Sequence, residues 1–190
     1  MRKILFLLTT CMALFASCSN EKNQFDEDLQ VAYQKMVRTF KTSTHVCSQT
    51  SNTWRTAIYD NKTPSGKYCN DFNKALEELF GNYAMWGALD SIISFKDAMQ
   101  AATSKLNDPP SNRKDCYDDF VEIVSEVSSL SRMATDPSGS LRSYYDQVNE
   151  TEENISKKLD QFKIKYAQFL NFEEESEDGI EVITGDEPLF

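Results

Sequence analysis

The strongest constraint on this chain is a seven-residue apolar step. Leu141, Val148, Ile155, Phe162 and Phe169 recur at that interval, with Tyr145, Leu159 and Tyr166 alongside. Such a step keeps one stripe of a helix against a neighbour, the geometry of left-handed bundle packing. Earlier in the chain two such series interlace. One is Leu29, Met36, Ser43, Thr50 and Ala57; the other is Tyr33, Phe40, Cys47 and Trp54. Together they predict one face of a long helix from Phe25 to about Asp60, with a small, polar middle where Ser43 and Thr50 turn inward. Six glycines and five prolines in 190 residues leave few breaks, so long helices are expected and a turn-rich all-β chain is not.

The breaks divide the chain into four legs. "NKTPSGK" at 61–67 is a turn. Asn70 or Asp71 can cap the next helix, whose face is Phe72, Leu76, Leu79, Tyr83 and Trp86. The stripe continues as Leu89, Ile92, Phe95, Met99, Ala102 and Leu106, but the join rotates it around the axis. Gly81 and Gly87 flank that join, and a kink or break is expected between them. Pro109 and Pro110 end this leg. A third helix from Arg113 to Ala134 carries Cys116, Phe120, Ile123, Val127 and Leu130, widened by Val121 and Val124. Asp136 is the expected cap of a fourth helix, with Pro137 at its first position, reaching about Phe172. The expected fold is all-α, an antiparallel up-down four-helix bundle over residues 25–172. Residues 173–190 hold eight acids in eighteen and read as an acidic flexible tail. They lack the alternating acids and closing glutamate of a calcium loop.

The N-terminus has its own pattern. Arg2 and Lys3 precede a twelve-residue run, Ile4 to Phe15, broken only by Thr9 and Thr10. That is too short to span a bilayer, which takes ~20 residues, and has the layout of a secretory signal. Phe15-Ala16-Ser17-Cys18 resembles the lipobox of bacterial lipoproteins of the Bacteroidota type, with Phe15 where the family usually has leucine. The resemblance covers residues 1–18 only. It implies a signal peptide at 1–17, cleavage before Cys18, lipid on Cys18, a linker at 18–24 and a place in the cell envelope, at the outer membrane. Loss of Arg2 and Lys3 changes the charge from 20 basic and 30 acidic residues to 18 and 30, or −12. Such a surface repels nucleic acid and anionic headgroups, so membrane attachment is expected through the lipid, whose several acyl chains suffice.

Little in the sequence carries chemistry. His45 is the only histidine, which excludes a paired Glu-x-x-His di-iron site and disfavours zinc. His45 and Cys47 are two apart and point to different sides of a helix. No phosphate-loop, dinucleotide or nucleophile-elbow motif occurs. No catalytic residue, metal or cofactor is therefore expected. Asp90 and Asp97 are read as solvent-facing. Cys47, Cys69 and Cys116 fall at different heights along the bundle, too far apart to bridge, so three free thiols are expected.

The aromatics Trp54, Tyr59, Tyr68, Phe72, Phe80, Tyr83 and Trp86 gather around the first hairpin. At ~1.5 Å per residue the third helix reaches ~33 Å and the first two legs over ~50 Å. The first hairpin should then project. Trp54, Tyr68, Phe72, Tyr83 and Trp86 become candidates for binding an envelope or extracellular protein. The alternative is a small-ligand lipoprotein with a pocket between the helices, lined by Ser43, Thr50 and aromatics.

Overall fold

The computed structural model describes the backbone of residues 2–85 and 87–170, and the side chains of 24–82 and 87–170. The described residues form five helices and no strand: α1 (Arg2–Tyr59), α2 (Phe72–Met85), α3 (Ala88–Ser104), α4 (Lys114–Thr135) and α5 (Leu141–Tyr166). Among them no helix is long and apolar enough to cross a membrane.

α1 packs against all four other helices. α4 also meets α3 and α5, whereas α2 meets only α1 and α3. The reason lies in the α1 stripe. Leu29, Ala32, Tyr33, Met36, Thr39, Ser43, Val46, Cys47, Thr50 and Trp54 are all buried, at helical three- and four-residue spacing that widens the stripe enough to touch several neighbours. Cys116, Phe120, Ile123, Val127 and Leu130 of α4 join the same core. So do Val148, Ile155, Leu159 and Phe162 of α5.

Paired residues give the order of contacts along the helices. Asp26 meets Arg113, and Ser43 meets Ser131, so numbers rise together along α1 and α4. Asp119 accepts from Tyr166, Lys158 donates to Glu122 and Glu126, and Tyr144 donates to the Met133 carbonyl. Along α4 and α5 the numbers run in opposition. Tyr33 stacks on Phe162 at 6.2 Å, and Trp54 meets Tyr144 edge-on at 5.6 Å.

The second leg breaks in the interval that its rotating stripe predicts. α2 ends at Met85 and α3 starts at Ala88, with Gly87 between them at φ 68°. That left-handed conformation costs an L-residue roughly 1–2 kcal/mol, and no neighbour lies within 4 Å of a Cβ built there. Backbone shape alone therefore selects glycine. Asp90 is exposed in the first turn of α3, where a carboxylate suits the helix dipole. Asp97 is exposed too.

Three expectations need correction. The cap of α5 is Ser140, not Asp136: Ser140 accepts from the Ser143 N–H and the Ser143 hydroxyl returns the contact, a capping box. Asp136 instead ends α4. In α5 the buried tyrosine is Tyr144, and Tyr145 faces solvent; both stand a helical step of three or four before Val148, and the packing of Tyr144 on Trp54 selects the first. The projecting hairpin is also shorter than expected. The Tyr144 ring at the start of α5 packs on Trp54, so the second pair of helices covers α1 at least to that residue. The expected tail at 173–190 lies outside the described residues.

Arg113 joins three segments near the start of the described side chains. Its guanidinium donates twice to Asp26, both at 2.7 Å, and lies 3.6 Å above the Phe169 ring. Arg113 is 3% exposed. A charge so enclosed is costly without its partner. Asp26→Ala should therefore cost on the order of 3 kcal/mol in urea denaturation, whereas Asp26→Leu combined with Arg113→Met should recover most of the loss.

Candidate functional site

The α1–α2 connection is a built platform. Ala57, Cys69 and Ala75 form a small buried cluster beneath it. Asn61 at φ 52° and Gly66 at φ 81° turn the chain. The Cys69 N–H donates to the Asn61 carbonyl at 2.7 Å, Thr63 N–H to Lys67 at 2.9 Å, and Gly66 N–H to Thr63 at 2.9 Å. Lys62 and Tyr68 form an antiparallel bridge. From α2, Glu78 Oε1 accepts from the Ser65 N–H at 2.9 Å. Burial opposes ionisation of Glu78, but contacts with Ser65 and Thr63 and the charge of Lys67 outweigh it and hold its pKa below the usual value. Asp71 Oδ1 accepts from the Asn73 N–H and caps α2.

This loop displays apolar side chains instead of hiding them. Tyr68 is 78% exposed, Tyr59 72%, Ile58 44% and Phe72 42%. Phe72 also reaches inward, its ring 6.1 Å from that of Trp54. Of the aromatics predicted to bind, Tyr68 and Phe72 are thus at the surface. Trp54 is not: it is 4% exposed and belongs to the main core, because Tyr144 covers it. The side chains of Tyr83, Trp86 and Cys18 lie outside those described. Sequence reasoning counts Tyr59 with the hairpin aromatics but not among the binding candidates, and it does not name Ile58, just past the Ala57 end of the stripe.

A second cluster lies inside, between α1, α4 and α5. The Ser43 and Ser131 hydroxyls are 2.9 Å apart, and Ser131 donates to the Val127 carbonyl. Cys47 Sγ points at the Leu130 carbonyl, 3.9 Å away. Burial, opposed by the Tyr144 hydroxyl, pushes the Cys47 thiol up to about 11, and burial lifts Cys116 to about 12. These are inert thiols, the opposite of an activated nucleophile. Cys47, Cys69 and Cys116 are all free and buried. Thr50 Oγ1 lies beside the Tyr144 hydroxyl without meeting hydrogen-bond geometry, and Trp54 Nε1 has no partner either. Burial also raises the Glu152 pKa, with the Thr44 hydroxyl acting the other way. Among the described residues no three His, Cys, Asp or Glu side chains converge as a metal site.

No protein family, curated protein or solved structure matches this chain. Its own residues must carry the functional argument.

Two outcomes follow from the inner cluster. Thr50→Val should raise stability by about 1 kcal/mol in urea denaturation, since it removes a buried hydroxyl that lacks a partner. Glu152→Gln should stabilise the protein at pH 7. The raised folded pKa means the ionised carboxylate weakens the fold, and that penalty fades as pH falls through the folded value towards the unfolded one. The gain should shrink as pH falls towards the ordinary glutamate range, read from denaturation midpoints across the pH range.

Proposed function

We propose that this chain is a non-catalytic lipoprotein of the cell envelope, held at the outer membrane by lipid on Cys18. On this reading residues 1–17 are removed and the helices form an antiparallel up-down four-helix bundle in which α2 and α3 share one leg. The bundle displays the 58–72 platform to an envelope or extracellular protein. The bundle reading draws on the paired residues that rise together along α1 and α4 and run in opposition along α4 and α5. From Asp26 to Tyr59, α1 advances ~50 Å at ~1.5 Å per residue, so the platform would stand well clear of an anchor near Cys18.

The observation that carries the reading is the exposure of Tyr59 and Tyr68 on a loop that hydrogen bonds and Glu78 hold in shape. Large aromatic side chains on a pre-shaped surface contribute contact area to a complex with little further ordering cost. A second reading, a small molecule held between the helices, draws on the buried, unpartnered Thr50 Oγ1 and Trp54 Nε1. It requires Thr50→Val to lower the stability of protein taken from its natural envelope, the reverse of the gain expected above.

Two measurements test the main reading. Wild-type protein should enter the detergent phase on phase separation with a blocked N-terminus, and Cys18→Ser should remain aqueous or unprocessed. Crosslinking in intact envelopes should capture a partner that Tyr59→Ser combined with Tyr68→Ser no longer captures. That double variant should keep its denaturation midpoint, because surface changes of this kind cost within about 0.5 kcal/mol each. A wild-type protein that is aqueous and has an open N-terminus overturns the anchor.

A further inference from the structure

α5 is held unevenly along its length. Towards the Asp26 end of α1 its ties to α4 are charged: Lys158 donates to Glu122 at 3.2 Å and to Glu126 at 2.6 Å, and Lys165 and Tyr166 donate to Asp119 at 2.7 and 2.6 Å. Phe162 packs there on Tyr33 and on Phe120. Residues 141–152 are tied far less. Their buried side chains are Tyr144 and Val148, with Leu141 packed against the core partly buried. Among the described residues, their hydrogen bond to another helix is the one from the Tyr144 hydroxyl to the Met133 carbonyl, at 3.2 Å.

The α1 surface beneath 141–152 is poorly satisfied. Thr50 Oγ1, beside the Tyr144 hydroxyl, and Trp54 Nε1, whose ring meets that of Tyr144, are buried without a partner. Thr44 Oγ1 is another such atom, beside the half-buried Glu152 carboxyl. Burial opposes the ionisation of Glu152. The connection before α5 adds slack. Ser138, Gly139 and Ser140 are exposed, and the capping box ties Ser140 to Ser143 within the same segment.

We propose that residues 136–152 are a cover that lifts from α1 as a unit while α5 from Ile155 onward stays seated. Proteins open in cooperative units whose cost follows the buried contacts broken. Lifting this segment breaks one hydrogen bond between helices and lets water reach Thr44, Thr50, Trp54 and Glu152, polar groups that the closed state leaves unpaired or half-desolvated. Opening further along α5 would also break the bonds to Glu122, Glu126 and Asp119. Trp54 meets Phe72 of the platform as well, at 6.1 Å, so lifting extends the exposed aromatics by the Trp54 ring and its N–H. The lifting stands on these internal contacts alone. Its use, to enlarge the platform for a partner, rests on the reading of the platform as a docking surface.

Two buried free thiols report on the two parts of the molecule. Cys47 lies beside the Tyr144 hydroxyl, and Cys116 lies near Arg113 and Asp119. The full mature chain is labelled with dilute iodoacetamide in rising, sub-denaturing urea, and each thiol is followed by the mass of its own peptide. Rates are taken relative to those of the unfolded chain. Cys47 should label at least tenfold faster than Cys116 and with a weaker urea dependence, since lifting the cover exposes less surface than unfolding. Asp26→Ala should speed Cys116 at least tenfold and leave Cys47 within twofold, because the lock is intact in both the closed and the lifted state. Lys165→Gln gives the same contrast if Asp26→Ala does not fold. Equal rates with equal urea dependence, or a lock variant that speeds both thiols alike, overturns the cover. Tyr144→Phe, which removes the bond to Met133 and keeps a ring on Trp54, should speed Cys47 at least threefold and raise capture of the envelope partner by crosslinking. Faster labelling with unchanged capture overturns the cover's use at the platform. Capture of no partner by the wild-type chain overturns the docking reading, whereas the thiol rates still decide whether the cover lifts.

Discussion

The hydroxyls of Ser43 and Ser131, 2.9 Å apart, mark the contact on which the arrangement rests. At this level α1 and α4 present small side chains to each other: Ser43 and Cys47 on one, Ser131 on the other, all buried. Small residues let two backbones approach closely, and the paired hydroxyls satisfy each other so that closeness leaves neither as a bare buried polar group. With α4 seated against α1, the larger side chains on either side, such as Phe120 and Phe162 at 5.8 Å, fill the wider spaces. α3 and α5 can then each touch both α1 and α4. The polar middle of the long α1 stripe is a consequence of fit.

Two levels of α1, near Asp26 and near Tyr59, are secured by different physics. At one, a doubly bonded ion pair beneath an aromatic ring gathers Asp26, Arg113 and Phe169. Lys165 and Tyr166 bond Asp119 nearby and lower its pKa against the opposing effect of burial. At the other, no ion pair is needed. Backbone hydrogen bonds, two positive-φ residues and one carboxylate from α2 shape the loop, and this end displays its aromatics. The charged lock and the open platform thus lie ~50 Å apart along the same helix.

Much of this was legible in residue spacing. The seven-residue series located the faces of α1 and α5, and the change of step between Trp86 and Leu89 located the break that Gly87 makes. Neighbouring positions were harder to separate. Tyr144 and Tyr145 are adjacent, and only the packing of Trp54 against the first of them decides which turns inward. Trp54 was misplaced for the same reason, since helix lengths alone do not show that the Tyr144 ring covers it. The shaping of the platform was illegible because it depends on Glu78, thirteen residues from the serine it holds. No local pattern encodes such a contact.

Gly87 has a consequence for how such a chain can change. In an unbroken helix, inserting or deleting one residue rotates every later side chain by ~100° and takes its whole apolar stripe off the core. A left-handed residue interrupts that transmission. α3 restarts with its own first turn, the Ser91 N–H and hydroxyl both closing on the Gly87 carbonyl. Its inward positions Ile92, Met99 and Ala102 are counted from there. α2, which touches only α1 and α3, can therefore lengthen, shorten or exchange its sequence while the lower core keeps its register. The break makes the displayed end a replaceable part, free to vary with whatever it meets on a body that stays the same.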